Sequence, residues 1–316
     1  MMTLLVVLPA SAQAQARIPR VGLLLPEMGR SESESIKGIR DELKQIGYHE
    51  RKTILFETRN AKGDRAALQP AAMDLVNGKV DVIFVTGTRA TQVAKSAARD
   101  IPIVFIHPAD PVSLGLVKST THPGGHLTGV AGLALQMTEK RLTLSKEIIP
   151  GLQRIYIFYD PNDKFSRENF LFAEEAAKKW GLQVIEHGVK SSEELKATLG
   201  GLQIGKGDAL FHVPDNLVES EADFVFDTAR QKKLPTMFNE ETWAIKGAMA
   251  AYGPSYYQMG RQAGRLVDMI LKGRKPETIA IQRAAKFDLI LNYRTATFIG
   301  LTFDRELLKR ADKVIR

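Results

Sequence analysis

The sequence predicts an α/β protein with mainly parallel sheets, built as two similar lobes facing each other across a cleft. Three observations carry this. Short runs such as Val80 to Thr86 and Ile101 to Ile106 are β-branched and apolar almost throughout, as strands covered on both faces are. Amphipathic segments of helical length separate them, the alternation that produces parallel strands with helical crossovers. The second half also repeats the plan of the first. Val21–Leu25 leads into a polar loop as Ile155–Tyr159 does, and Val80–Val85 with Thr86-Gly87-Thr88 matches Asp208–Val213 with Pro214-Asp215-Asn216. Two like lobes put such strand-end loops around one cleft, the usual place for a small ligand.

Taken in order, the chain begins with an apolar run from Leu4 to Ala10 and the small-residue stretch Ala14-Gln15-Ala16, which read as a secretory leader over residues 1–16. Strands are expected at Arg20–Leu25, Thr53–Thr58, Val80–Thr86, Ile101–Ile106, Arg154–Tyr159, Gln183–Val189, Asp208–Val213 and Pro235–Asn239. Ser166 to Trp180 is expected to be helical, because Phe170, Ala173, Ala177 and Trp180 recur at helical spacing. The alternation pauses at Pro123-Gly124-Gly125 and restarts after Pro150-Gly151, which places a passage between lobes in that interval. A last long helix follows Ala251-Tyr252-Gly253 and runs to Gly273, with Tyr256, Gly260, Ala263, Val267 and Ile270 on one face.

Composition narrows the function. The 316 residues suffice for two domains. No stretch approaches the roughly 20 apolar residues of a membrane span. Cysteine is absent, which excludes disulfides, cysteine-ligated zinc, a thiol nucleophile and a lipidated cysteine after the leader. The formal charge of +8 is spread over helix faces such as Lys178-Lys179, a solvated surface rather than a nucleic-acid stripe. No catalytic elbow, metalloprotease helix or dinucleotide fingerprint appears. GGLQIGKG at 200–207 lacks the Ser or Thr of a phosphate loop and precedes a strand rather than following one, so it reads as a turn. His122 and His126 are separated by Pro-Gly-Gly, which forbids shared metal ligation on a helix. No metal, cofactor or catalytic acid–base pair is expected.

The loops offer binding chemistry instead. Thr86-Gly87-Thr88 with Thr91 joins a strand to a helix, where free N–H groups and hydroxyls either receive a carboxylate or, through Thr88, simply cap the helix. Asp110, between Pro108 and Pro111, is either aimed at a ligand or caps the turn through Ser113. Asp215 in the paired loop is a candidate partner for an ammonium. One lobe for a carboxylate and one for an amine suits an amino acid. Phe165, Phe238, Trp243, Tyr252 and Tyr256 are either a stacking wall or core.

Gly22-Leu23-Leu24-Leu25-Pro26, the run VDVIFVTGT from Val80, Ile101 to Phe105 with Asp110-Pro111-Val112, Pro123-Gly124-Gly125 with Thr128-Gly129, Ala251-Tyr252-Gly253, Ile270 to Gly273, Lys286 to Asn292 and Ala311-Asp312 together resemble the substrate-binding family of ABC transporters that includes tryptophan-type binding proteins. The resemblance implies a type I periplasmic-binding-protein fold, two Rossmann-like lobes joined by three crossover strands. It implies lobes at 17–131 with 254–284 and at 132–253 with 285–316. It implies a monomer, free in the periplasm, that closes on a small ligand and delivers it to an inner-membrane permease, with no nucleic-acid partner. Family members with known ligands bind aromatic or other amino acids.

The expected ligand-lining set is Thr86, Gly87, Thr88, Thr91, Asp110, Pro111, Ser166, Asp215, Asn216, Glu240 and Tyr252. Charges at Glu27, Arg30 and Glu240-Glu241 count against a purely apolar ligand, and Lys164 and Arg167 would favour an anionic group. The alternatives are a sensor that docks on a signalling receptor, and a periplasmic enzyme, which would need a catalytic pair.

Overall fold

A computed structural model describes residues 17–107, 111–132 and 134–316; the expected leader and Asp110 lie outside them. The chain begins with β1 (Arg20–Leu25), α1 (Arg30–Gln45), β2 (Leu55–Asn60), α2 (Leu68–Asn77), β3 (Val82–Thr86), α3 (Thr88–Ala97), β4 (Ile103–His107) and β5 (Leu127–Ala131). It continues into α4 (Ala134–Ile148), β6 (Arg154–Tyr159), α5 (Lys164–Lys179), β7 (Gln183–Gly188), α6 (Ser192–Gly201) and β8 (Asp208–Phe211). Then come α7 (Asn216–Ser220), α8 (Ala222–Gln231), β9 (Thr236–Phe238), α9 (Glu241–Lys246) and β10 (Ala250–Pro254). It returns through α10 (Tyr256–Leu271) and β11 (Gln282–Arg283), and ends with β12 (Phe287–Asn292), α11 (Tyr293–Phe298), α12 (Arg305–Arg310) and β13 (Lys313–Ile315). No helix among the described residues is long and apolar enough to cross a membrane.

The strands form two sheets, ordered β11-β5-β4-β3-β1-β2 and β13-β12-β10-β9-β8-β6-β7. Within each, five parallel strands follow one plan: the second lies outside the first, and the third, fourth and fifth follow on its other side. The repeat seen in the sequence is thus a repeat of topology. Among the described residues the one antiparallel pairing is β10 with β12, and β13 runs parallel to β12. Each sheet with its helices is called a lobe below. The chain passes between them after β5, at Pro254-Ser255, and between β11 and β12; Ser255 N donates to Lys286 O at 3.0 Å, tying the last two passages together.

Both faces of each sheet are covered, which is why the strands carry no alternation. In the first lobe Leu23, Val82, Phe84 and Val104 pack under α1 and α10, while Leu24, Ile83, Val85 and Phe105 pack under α2 and α3. In the second, Ile155, Ile157 and Phe211 face Leu142, Phe170 and Ala173, and Tyr156, Phe158, Leu210 and Phe238 face Leu195 and Phe226. α1 and α10 touch backbone to backbone: a Cβ added at Gly38 would lie 2.1 Å from Tyr257 O, and one at Gly260 2.2 Å from Ser35 O. The contact is edged by Glu42, 4% exposed, which accepts from Arg261 at 2.6 Å and Arg265 at 2.7 Å.

Boundaries shift where side chains cap. The strand expected at Thr53–Thr58 begins two residues later, because Lys52 and Thr53 N both donate to His49 O and close a turn. The helix expected from Ser166 begins at Lys164, where the N-cap Asp163 accepts from Ser166 N at 3.0 Å. The strand expected to reach Val213 ends at Phe211, though His212 N still donates to Met237 O. The interval assigned to a passage contains β5 and all of α4, a helix not read from the sequence. Thr138, Arg141 and Ser145, each 1% exposed, occupy its buried stripe and mask its period.

Candidate functional site

In an open parallel sheet of this order, ligands bind beyond the carboxyl ends of the strands, where neighbouring crossovers leave in opposite directions. That point lies between β1 and β3 in one lobe and between β6 and β8 in the other. A cavity of about 460 Å³ opens there, lined by Pro26, Arg65, Thr86, Gly87, Thr88, Arg89, Ala90 and Leu114 from the first lobe and by Asp163, Phe165 and Asn216 from the second.

β3 ends at Thr86, and Gly87 turns the chain into α3 with φ 80, a left-handed angle that only glycine adopts without strain. Gly87 is the N-cap and no side chain caps the helix, so Thr88 is its first residue rather than its cap. The first N–H groups of α3 have no intrahelical partner and the helix dipole is positive there, which suits a carboxylate. Thr91 is 0% exposed and donates its hydroxyl to Gly87 O at 2.7 Å, so it braces this turn instead of lining the cavity.

Other expected site residues have structural partners. Asp215 was expected to receive an ammonium, but one carboxylate oxygen accepts from Val218 N at 2.8 Å and the other from Asp160 N at 2.7 Å. It caps α7 and clamps the loop after β6. Ser166, 1% exposed, donates to Pro214 O at 3.3 Å and so joins two loops. Tyr252 stacks on Phe287 with ring centroids 6.1 Å apart and packs on the core of the second lobe, away from the cavity lining. Pro111 is buried, and its carbonyl accepts from Leu116 N and Val117 N to close a turn. Of the five aromatics, Phe165 lines the cavity and Phe238 is core. Lys164 faces solvent beside Glu168.

Replacing Asp215 with alanine is expected to lower stability by about 1–2 kcal/mol, the loss of a helix cap and a backbone acceptor. Urea unfolding reads this directly. An unchanged midpoint with lost ligand affinity would return Asp215 to the ligand.

The feature the sequence reading missed is a charged cluster deeper between the lobes. Arg141, 1% exposed, donates to His212 O at 2.6 Å and Thr138 Oγ1 at 3.1 Å and lies over the Phe211 ring, 4.9 Å from its centroid. Burial pulls it down to about 9, against the nearby Glu240 carboxylate. His212 stacks on Phe238 at 4.4 Å; burial, then Arg141, push it down to about 3, so it is neutral. Its Nε2 lies 3.3 Å from Glu219 Oε1. Burial, then the Asp215 carboxylate, push Glu219 up to about 7. Burial, then Glu219, push Glu240 up to about 8.

Glu240 bonds across the cleft to Tyr256, whose hydroxyl is pushed well up by burial and then by Glu240. Glu32 on α1 is also pushed up by burial, and Thr86 Oγ1 donates to it at 3.5 Å. The side chain of Glu219 remains 29% accessible although protein surrounds it, so the water it meets is that of the cleft. Cross-lobe contacts close the arrangement: Arg30 to Glu241 at 3.1 Å and Ser31 Oγ to Thr242 Oγ1 at 3.3 Å. The sequence held one clue to this cluster, an arginine at Arg141 in phase with Thr138, Ser145 and Ile148.

Two like-ordered α/β lobes with a polar cavity between their strand ends define a binding protein of the type I periplasmic fold. The chain belongs to the ABC transporter substrate binding protein family, whose pattern matches residues 21–315. It is 30% identical over 270 residues to the tyrosine-binding protein of Clostridioides difficile, covering 85% of this chain and 76% of that one. It superposes with TM-score 0.80 and 25% identity on the ABC domain of Streptococcus pneumonia in complex with L-Trp, covering 95% of this chain and all of that one. A ligand-free, open structure of a substrate-binding protein with adhesive properties from Clostridium difficile gives TM-score 0.79 at 26% identity, over 94% and 99% of the two chains.

Proposed function

We propose that the protein is the extracytoplasmic receptor of an ABC importer and captures a free aromatic amino acid of the tyrosine or tryptophan class. The observation that carries this is the polarity of the cleft: the uncapped start of α3 on one side, the carboxyl groups of Glu219 and Glu240 on the other, with Glu32 bonded to Thr86 beside α3. The ligand carboxylate meets the α3 N–H groups, and its ammonium meets Glu240 and Glu219. Phe165 offers a face to an aromatic ring. The tyrosine-binding relative and the L-Trp complex support this ligand class.

Residues 17–131 with 254–284 and residues 132–253 with 285–316 move as two bodies about the three passages. The open structure of the relative supports such a motion. Closure is stabilised to the extent that ligand binds the closed form more tightly. The permease then recognises the closed form, and the leader at 1–16 directs the chain to the periplasm.

Thermal unfolding of refolded, ligand-stripped protein against a panel of amino acids tests the reading. Tyrosine or tryptophan at about 100 times its dissociation constant is expected to add roughly 2.7 kcal/mol. A folded protein that no amino acid stabilises would sink it.

A further inference from the structure

Three carboxyl groups meet in this cleft, and they come from both lobes. Glu32 belongs to α1; Glu219 lies on α7 and Glu240 between β9 and α9. The groups around them can be named from every side. Toward Glu240 face Glu219, Tyr256 from α10, Glu32 and Arg141 from α4. Toward Glu219 face Asp215 and the neutral His212. Toward Glu32 face Glu27 and the Thr86 hydroxyl. Arg141 is the one cation in this set among the described residues, and its bonds go to His212 O and Thr138. Three carboxylates beside one arginine put like charge together; Arg30 is paired with Glu241, and Arg65 and Arg89 line the adjoining cavity. Parting the lobes removes Glu32 and Tyr256 from the other two and returns each carboxyl to water.

We propose that these carboxylates are a charge gate on closure: ionised together they hold the empty lobes apart, and positive charge entering the cleft, carried by the ammonium group of the ligand, lets the lobes meet. The source of that charge rests on the amino-acid reading above; the gate itself does not. Protons substitute for the ligand. With the lobes in contact Glu240 stands at about 8 and Glu219 at about 7, burial first in both; parting the lobes lowers both, although Asp215 stays beside Glu219. The closed form therefore binds more protons than the open one, and acidification favours closure between those values and roughly pH 4.3. A ligand without an ammonium group leaves the like charge in place and closes the lobes poorly.

Small-angle X-ray scattering of the ligand-stripped full chain, from about pH 8.5 to about pH 5, reads lobe separation across the titration window. The radius of gyration of the wild type is expected to fall on acidification. Glu240→Gln, which keeps a hydrogen bond to Tyr256 without a charge, is expected to be more contracted than the wild type at the alkaline end and to respond less to pH, Glu219 still titrating. L-tyrosine should contract the alkaline wild type, and its desamino analogue should not. Glu219→Gln gives the same reading should Glu240→Gln fail to fold, with far-ultraviolet circular dichroism checking both. A wild-type radius independent of pH and equal to that of Glu240→Gln overturns the gate. Stabilisation by tyrosine alongside that result leaves the ligand reading standing. Acid contraction with no response to any amino acid upholds the gate and removes the ligand reading instead.

Discussion

Gly38→Ala is expected to destabilise the protein by about 3 kcal/mol or more, because the added methyl has nowhere to go. Its Cβ would lie 2.1 Å from Tyr257 O and 3.0 Å from Arg261 N, both main-chain atoms of α10. No rotamer relieves a clash with backbone, so α1 and α10 must separate and unpack Ile39, Leu43, Met259 and Ala263 from the sheet. The better helix propensity of alanine returns only about 1 kcal/mol. Gly200→Ala is the control: it lies in α6 with no atom within 4 Å of the new methyl, and should stabilise slightly. Urea midpoints at constant slope compare the two. The same shift would displace Glu32 and Tyr256, which stand on these two helices, so ligand affinity should fall with stability. An unchanged midpoint for Gly38→Ala would show that the helices do not pack this closely.

Asp208→Ala carries a loss of about 3 kcal/mol for a different reason. The Asp208 side chain is 0% exposed and accepts four bonds: Arg154 Nε at 2.6 Å, Arg154 Nη2 at 2.8 Å, Gly205 N at 2.7 Å and Tyr156 OH at 3.1 Å. Arg154, 39% exposed, turns to water when its partner goes, but Gly205 N loses its acceptor inside the fold and the Tyr156 hydroxyl keeps only a longer bond to Gln203 O at 3.4 Å. Burial alone would push the Asp208 carboxyl up; the bonds from Arg154, Gly205 and Tyr156 outweigh it and hold it below its ordinary value. A carboxyl lowered on folding stabilises fully above its unfolded value, near pH 3.9, and the contribution fades as pH falls through the folded value. The gap between wild type and Asp208→Ala should therefore be constant from neutral pH to about 5 and narrow in stronger acid. A gap that narrows on the alkaline side would contradict this account.

How much of this was legible beforehand follows from sequence distance. Strands such as Val82–Thr86 and Arg154–Tyr159 declare themselves because burial on both faces demands unbroken apolar runs. The Thr86-Gly87-Thr88 junction is legible because a strand, a glycine and a helix start are adjacent. Asp215 reads two ways because a helix cap and a ligand carboxylate look alike in sequence, and only the structure shows the Val218 and Asp160 donors. The cluster of Glu32, Arg141, His212, Glu219, Glu240 and Tyr256 is scattered over more than two hundred positions. Glu240 stands in the expected lining and Tyr256 reads as stacking wall or core, but Glu32, Arg141, His212 and Glu219 each read as solvated or packed residues, and only the meeting of the lobes joins the six. α4 was missed for a related reason: the stripe that should be apolar holds the arginine that the cluster uses.

The three passages between lobes also govern how the chain can be made. The face of the first sheet that carries Val21 and Leu23 is covered in part by Ile39 and Leu43 of α1, and for the rest by Met259, Ala263, Leu266 and Val267, supplied by a helix late in the sequence. A nascent chain that has reached Pro254 holds all five leading strands of that sheet but none of the α10 cover. Its first lobe cannot mature while synthesis proceeds, unlike a protein whose amino-terminal domain closes on itself. Contacts of such high sequence separation form slowly, so the interval between emergence and folding is long. Under the export proposed above, the late arrival of α10 is a built-in delay.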